Sequence, residues 1–429
     1  MSLLMLLLLF FGLMIIGLPL YLALLSVAFL GVMVLGDISL LRAVSQQFFG
    51  GMDSFTLMAI PFFVLTGSLM NMSGLTDRLI IFSKLLVGSI RGGLGYVNIV
   101  GGIILAGVNG SAAADASALS SILIPAMKKE GYNPGYAAGL TAASSLIGPI
   151  IPPSIFMIIY ASMTNTSIGG LFAAGIIPGL VLGLAYAVMN YFYAAIYRAP
   201  VSSSEERLKI KETLIYSIPA LIAPMIIIGG IVTGVVTPTE SGALAVAYCL
   251  LIGLFYTKKL DKRGIFAALY ETVRTTSSIF LIMGAAQAVG WLLKWERIPQ
   301  RFAELLAGAG LVSSPVLLML TFTGIIFIVG CFMEEVATLT LLTPIFYPLA
   351  VQAGIDPLHF GIVMTLNVTI ALVTPPMGAC NYIVSAVGKV PLGEVLKFIW
   401  PFIAVSLVVV VIIILCPFVV TFVPRVLGL

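Results

Sequence analysis

Three stretches of this chain, residues 3–35, 214–236 and 398–423, reach or exceed the roughly 20 residues that a helix needs to cross the hydrocarbon core of a bilayer. In hydrocarbon every backbone N–H and C=O must find its partner within the protein, so only helices and closed barrels span it. Strands of alternating polarity are absent from the sequence, which selects a helical bundle over a barrel. Composition agrees: 60% of the 429 residues are hydrophobic and 9% charged, against roughly 25% charged in a soluble domain. The mean hydropathy is +1.17. The chain reads as an all-α integral membrane protein.

The net charge of +4 does not mark a nucleic-acid binder, because the basic residues are spread over short loops between apolar runs rather than clustered. Cys249, Cys331, Cys380 and Cys416 each stand alone in apolar sequence, without the spacing of a metal or redox site, and are expected to be buried, inert thiols. No basic segment precedes the first apolar run, so the N-terminus reads as a membrane helix and not a cleaved signal.

Prolines reveal an internal repeat. Pro125, Pro134, Pro152, Pro153 and Pro178 recur in the same order and at one constant offset as Pro348, Pro357, Pro375, Pro376 and Pro401. "GYNP" at Gly131 returns as "GIDP" at Gly354, and "GPIIPPS" at Gly148 returns as "ALVTPPM" at Ala371. If the loops at 78–91, 128–129, 198–211, 258–263 with Arg274, and 389–397 are cytoplasmic, they hold sixteen of the twenty-one Lys and Arg residues, as the positive-inside rule asks. Arg42, Lys294, Arg297, Arg301 and Arg425 then lie outside. An odd number of spans separates equivalent points of the two copies, so the repeat is inverted.

That count requires one segment per copy to turn back. Residues 97–127, interrupted by "GVNGSAAADAS", read as a re-entrant hairpin, and residues 316–349, interrupted by "GCFMEE", as its counterpart from the other face. Each is followed by a segment with a break: "IGPIIPPS" within 136–160 and "LVTPPMG" within 359–384. Proline removes a backbone donor and clashes with the preceding turn. Tandem prolines therefore unwind the helix and leave carbonyls that hydrocarbon does not tolerate unless they are buried in protein or line a polar cavity. Such carbonyls can coordinate Na⁺, and the helix N-termini that start at the breaks favour carboxylates.

The segments "AGVNGSAAADASALSSILIPAM", "GLTAASSLIGPIIPPSIFMIIY", "VVTPTESGALAVAY", "CFMEEVATLTLLTPIFYPLA" and "TPPMG" together resemble the large membrane subunit of tripartite ATP-independent periplasmic (TRAP) transporters, over essentially the whole chain. The resemblance implies an inverted-repeat, elevator-type secondary transporter of the bacterial inner membrane, with two re-entrant helical hairpins and two broken helices. It implies coupling to Na⁺ and uptake of an organic acid, such as a sialic acid or a C4-dicarboxylate, delivered by a periplasmic substrate-binding protein. It also implies a small membrane subunit of about four helices, expected here as a separate polypeptide.

Candidate site residues follow from the hairpin tips and breaks. Asn109, Gly110 and Ser111 form the first tip and are expected to join the carbonyls of Gly148, Pro149 and Pro152 around one Na⁺, with Pro153 and Ser154 as further ion- or substrate-binding candidates and Ser111 equally suited to a plain N-cap. Met333 and Glu334 at the second tip, with Thr374, Pro375, Pro376 and Gly378, give a second Na⁺ site that offers fewer hydroxyl groups. Asp115 and Glu334 are carboxylates at membrane depth, where a functional role is the default reading; for Asp115, charge complementing a helix N-terminus stands beside it. Ser144, Ser145, Asn367 and Thr369 precede the breaks, as lining groups or as hydrogen bonds between packed helices. Glu240 in "TPTES" is read as a structural cap and His359 as a helix-terminus residue. Residues 294–301, "KWERIPQR", are either an amphipathic arm or part of a docking surface.

No nucleophile with a base, metal cluster or phosphate loop supports an enzyme or an ATP-driven pump. A passive organic-anion channel is the alternative. The expected organisation is a scaffold of residues 1–96 and 199–311 around a mobile transport domain of 97–198 and 312–429.

Overall fold

The computed structural model describes residues 3–35, 39–197, 210–312 and 314–429. The described residues form helices and turns without strands. The first group is α1 (Leu3–Ile15), α2 (Leu20–Leu35), α3 (Leu40–Gly50), α4 (Ala59–Met72) and α5 (Leu75–Val87). Then come α6 (Gly93–Asn109), α7 (Ala112–Lys129), α8 (Pro134–Ser145), α9 (Ile155–Thr164) and α10 (Ile168–Ile196). The second half has α11 (Ile210–Val232), α12 (Pro238–Leu251), α13 (Lys262–Trp295) and α14 (Ile298–Gly308). It ends with α15 (Pro315–Gly330), α16 (Glu335–Gln352), α17 (Pro357–Ala371), α18 (Ala379–Gly388), α19 (Leu392–Leu415) and α20 (Phe418–Leu427).

The offset that relates the prolines governs the elements as well. Applied to both ends of α7 it gives both ends of α16, and applied to the starts of α5 and α8 it gives the starts of α14 and α17. One pair departs from the pattern. α13 is continuous over the positions that its counterpart divides into α3, a loop with a short 3₁₀ turn at Phe55–Met58, and α4.

The two segments read as hairpins form antiparallel helix pairs. Asn98 near the start of α6 reaches Met127 near the end of α7, Nδ2 to Sδ, at 3.9 Å. Phe322 of α15 stacks on Phe346 of α16 with ring centroids 4.2 Å apart. The two interrupted helices are also present: residues 146–154 separate α8 from α9, and residues 372–378 separate α17 from α18. Equivalent caps start α8 and α17. Asn133 Oδ1 accepts from the N–H groups of Gly135 at 2.8 Å and Tyr136 at 3.2 Å, and Asp356 Oδ1 from Leu358 at 2.8 Å and His359 at 3.1 Å. Each cap is followed by a proline at the first helical position, where its missing N–H costs nothing.

Two apolar runs fold differently from expectation. Residues 3–35 are two helices, α1 and α2, because Gly17 at φ +88° and Pro19 end the first and start the second. Residues 398–423 are divided at Cys416 and Pro417 between α19 and α20. The cysteines are free, but only Cys249 and Cys380 are buried; Cys331 is half-buried and Cys416 exposed, correcting the expectation of four buried thiols. Most of the basic loop at 198–211 lies outside the described residues.

Packing sorts the helices into two sets. α2, α3 and α4 lie along α13, α4 also packs on α12, and α5 on α11. In the other set α8 packs on α19, α10 on α20, and α15, α16 and α17 on one another. The sets meet where α13 touches α16 and where α6 touches α5 and α11. Arg78 is buried at the first set's edge, donating to the Tyr216 carbonyl at 2.9 Å with its guanidinium 4.0 Å from the Tyr216 ring centre.

Candidate functional site

Each hairpin tip rests on the break of its own repeat. α6 ends at Asn109, whose side chain lies outside the described residues, and Gly110 then takes a left-handed conformation, φ +59°. It packs so closely on the Pro153 carbonyl that a Cβ would overlap the oxygen. Ser111 caps α7, its Oγ accepting from Ala114 N–H at 3.5 Å. In the break itself Ser154 donates from Oγ to the Pro149 carbonyl and caps α9 by accepting from Met157 N–H at 3.3 Å. Gly148 lies against the buried carboxylate of Asp115, where again a Cβ would overlap an oxygen.

The second tip repeats this plan with other side chains. Met377 N–H donates to the Cys331 carbonyl at 3.2 Å, joining break to tip. Glu334 takes the place of Ser111 and caps α16, accepting from Ala337 N–H at 3.1 Å. A small cleft of about 70 Å³ between tip and break is lined by Met333, Glu334, Glu335, Leu372, Met377 and Gly378. The Thr374 hydroxyl donates to the Ile370 carbonyl at 2.9 Å, and the Thr374 carbonyl accepts from Gly378 N–H at 3.1 Å. Pro152–Pro153 and Pro375–Pro376 are both joined by cis peptide bonds.

The half-helices after the breaks cross between repeats. α9 packs on α16 of the second hairpin, and α18 on α7 and α8. Lys128 at the end of α7 fastens the end of α18, donating to the carbonyls of Gly388 at 2.8 Å and Lys389 at 3.1 Å. A cation at a helix C-terminus complements the dipole there. These contacts join the two tip-and-break assemblies directly.

Ser145 Oγ and Thr369 Oγ1 are spent within their helices, on the carbonyls of Ala142 at 2.8 Å and Thr365 at 2.7 Å. Ser144 and Asn367 behave otherwise. They are equivalent positions, both buried, and Ser144 Oγ and Asn367 Oδ1 have no hydrogen-bond partner among the described residues. Buried polar oxygens are nearly always satisfied, so such atoms beside a break fit a site that takes a cation. Carboxylate, hydroxyl, amide and carbonyl oxygens are the donors that hard cations prefer.

Two polar cavities lie between the helix sets. One of about 270 Å³ is lined by Val64, Gly67, Ser68 and Asn71 of α4, by Ser111, Ala113, Ala114 and Ser117 of the first hairpin, and by Ile155, Glu271 and Thr275. In it Ser68 Oγ donates to Glu271 Oε2 at 2.5 Å. Here the N-termini of α7 and α9 meet, which suits an anion. The other, of about 440 Å³, is lined by Gly50 at the end of α3 and the loop residues Gly51, Asp53 and Ser54, by Met283, Gln287 and Lys294 of α13, by the end of α9, and by α16 from Thr340 to Pro348. A third cavity, about 430 Å³ and apolar, separates α1, α2, α13 and α14 from the second hairpin.

Sequence reasoning placed the tips and breaks but passed over Glu335, Asn381, Ser68, Asn71 and Glu271. Asn381 is buried and donates from Nδ2 to the Val373 carbonyl at 2.6 Å, inside the second break. Its position three residues after Gly378 was a visible signal. Ser68 and Glu271 are 203 residues apart, and only folding brings them together. Glu240 forms a capping box with Thr237, as expected. His359 is buried in the first turn of α17 with Nε2 2.9 Å from the Ile413 carbonyl. Residues 294–301 run from the end of α13 into α14, on which Ile298, Pro299 and Leu306 are buried.

Residues 7–419 match the family model of the tripartite ATP-independent periplasmic transporter, DctM component. The chain is 40% identical over 394 residues to the sialic acid TRAP transporter large permease protein SiaM of Vibrio cholerae, covering 91% of each. It is 36% identical to the C4-dicarboxylate TRAP transporter large permease protein DctM of Pseudomonas aeruginosa, covering 90% of each. In fold it is similar to the YdaH transporter of Alcanivorax borkumensis, with a TM-score of 0.63 at 13% identity over 88% of each chain. The paired hairpins, the paired breaks and these matches agree: the chain is a multi-pass inner-membrane transporter permease, not an enzyme, and belongs to the DctM family of TRAP transporter large subunits.

Proposed function

We propose that this subunit carries out Na⁺-coupled secondary uptake of an organic acid bearing a carboxylate, received from a periplasmic substrate-binding protein and assisted by a small membrane subunit of about four helices. The observation that carries the reading is the docking of both hairpin tips on proline breaks, with Asp115 and the unsatisfied oxygens of Ser144 and Asn367 buried, and Glu334 half-buried, around them. Groups this costly to bury are retained where they bind something.

Na⁺ supplies positive charge and a transmembrane gradient. One ion is assigned to the first tip and break, with Asn109, Gly110, Ser111, Gly148, Pro149 and Pro152 as the oxygen donors. A second is assigned to Glu334, Thr374 and Gly378. Oxygens at each tip serve Na⁺, and the N-termini of α7 and α9 take the substrate's carboxylate in the smaller polar cavity. α6–α10 with α15–α20 move as one transport domain, residues 97–198 and 312–429, against a scaffold of residues 1–96 and 199–311. Support comes from the packing of each post-break helix on the other repeat's hairpin. Relatives transport sialic acid and C4-dicarboxylates by name, so these are the first substrates to try.

The test is uptake into liposomes holding this chain and its small subunit, with binding protein outside, with and without an inward Na⁺ gradient. Uptake that needs both is expected. Uptake indifferent to both would replace the carrier by a passive channel.

A further inference from the structure

The two polar cavities are counterparts under the repeat. Asn71, Val64 and Ser117 line the smaller, and their equivalents in the second repeat, Lys294, Gln287 and Thr340, line the larger. Along α4 and α13 two equivalent pairs, Val64 with Gln287 and Asn71 with Lys294, face the cavities. Along the hairpins the contact is shifted. The smaller cavity touches its hairpin from Ser111 to Ser117, at the tip, whereas the larger touches α16 from Thr340 to Pro348 and stops short of Glu334. Symmetry would place that contact at residues 334–340, so the register differs by six residues at one edge and eight at the other, on the order of 10 Å along a helix. Two halves of one architecture can exchange arrangements. Shifting the hairpins by that distance brings the second tip opposite Lys294, as the first tip stands opposite Asn71 here.

The cavities also differ in charge. Among its lining residues the smaller holds Glu271 and no basic side chain, and the larger holds Lys294 with Asp53. An anion therefore meets a field more favourable by one unit charge in the larger cavity.

We propose that Lys294 is a scaffold-borne contact for the substrate's carboxylate, used when the hairpins stand at its end and replaced by the neutral Asn71, beside Glu271, at the other. The substrate is then held by an ammonium on the side where it loads and meets an amide and a carboxylate where it leaves. Asp53 shares the cavity but makes no ion pair with Lys294 among the described residues, and Glu334, the other competing partner, already caps α16 and lines the cleft at the second break. The inference rests on the transporter reading above, with Lys294 on the outer face.

The experiment uses the two-subunit complex in liposomes, with N-acetylneuraminate and succinate as probes and binding protein and Na⁺ titrated separately. Lys294→Asn should raise the KM for the transported probe at least tenfold, leave kcat within about twofold and leave the Na⁺ dependence unchanged; Lys294→Arg should restore KM. An unchanged KM in folded Lys294→Asn overturns the proposal. So does a defect confined to the binding protein needed, which assigns Lys294 to docking, or one that vanishes in a Glu334→Gln background, which assigns it to Glu334. Lys294→Cys paired with Ala337→Cys, counterparts of Asn71 and Ala114, should crosslink in membranes under mild oxidant. Failure to crosslink overturns the displacement independently of uptake, whereas a crosslink in the double-cysteine chain combined with a wild-type complex that takes up neither probe counts against the transporter reading alone.

Discussion

The two repeats share a backbone and divide over side chains, most clearly at one pair of positions. In the first repeat Asp115 presses its carboxylate against Gly148; in the second, the equivalent positions are Thr338 and Ala371. In the first repeat the carboxylate meets a glycine of the break, whereas in the second the Thr338 hydroxyl is spent on the Glu334 carbonyl at 3.0 Å and Ala371 is the last residue of α17. The caps show the reverse allocation, Ser111 in the first half and Glu334 in the second. Each half thus keeps acidic charge at its tip, by different routes, Asp115 in the first and Glu334 with Glu335 in the second. The repeat conserves the break and the charge near it, while the residue bearing that charge moves.

This comparison is most exposed at Gly148. Gly148→Ala should displace the Asp115 carboxylate and cut Na⁺-dependent uptake on the order of 100-fold, or about 2.7 kcal/mol. Adding Asp115→Thr, which copies the second repeat, should recover the fold's thermal stability but not uptake. Recovery of both would mean that the acid is dispensable. Next in size, Glu334→Gln keeps a cap acceptor and removes the charge, so the Na⁺ concentration for half-maximal uptake should rise about tenfold. Ser111→Ala, which loses a 3.5 Å cap bond and one neutral oxygen donor but no charge, should raise it two- to threefold. Equal effects would erase the distinction between the halves.

Ser144→Ala sharpens the comparison by sign. Its hydroxyl has no partner among the described residues, so removing it should leave the melting temperature unchanged or higher while weakening Na⁺ dependence severalfold. Loss of stability with unchanged transport would make Ser144 a packing residue. Asn367→Ala forfeits bonds from Nδ2 to Thr323 Oγ1 at 3.1 Å and to the Val363 carbonyl at 2.8 Å, and should lower the melting temperature as well. The smallest effects belong to the matched caps. Asn133→Ala and Asp356→Ala should each cost about 1 kcal/mol of stability and leave KM untouched; unequal costs would show that the caps are equivalent only in geometry.

Much of this was legible beforehand for identifiable reasons. Prolines and glycines act locally, so "GVNGS", "GPIIPP" and "VTPPMG" announce the ends of α6, α8 and α17 whatever surrounds them. The same signal at Gly17 and Pro19 was outweighed by the apolar run around it, and one expected span became two helices. The cavities were not legible. Ser68 with Glu271, Lys128 with Gly388, and Gln287 with Gly51 are contacts between residues hundreds of positions apart, set by how helices lean on one another.

The sequence by itself determined the solvent, the helices, their breaks and the duplication, because hydrocarbon forbids an unpaired backbone and a tandem proline unwinds a helix in any context. Only the tertiary structure decided which repeat's hairpin holds which half-helix, where buried oxygens are left over, and how far along α7 and α16 the cavities reach. Those depend on the register between packed surfaces, and the apolar side chains that fill them carry no local mark of their partner.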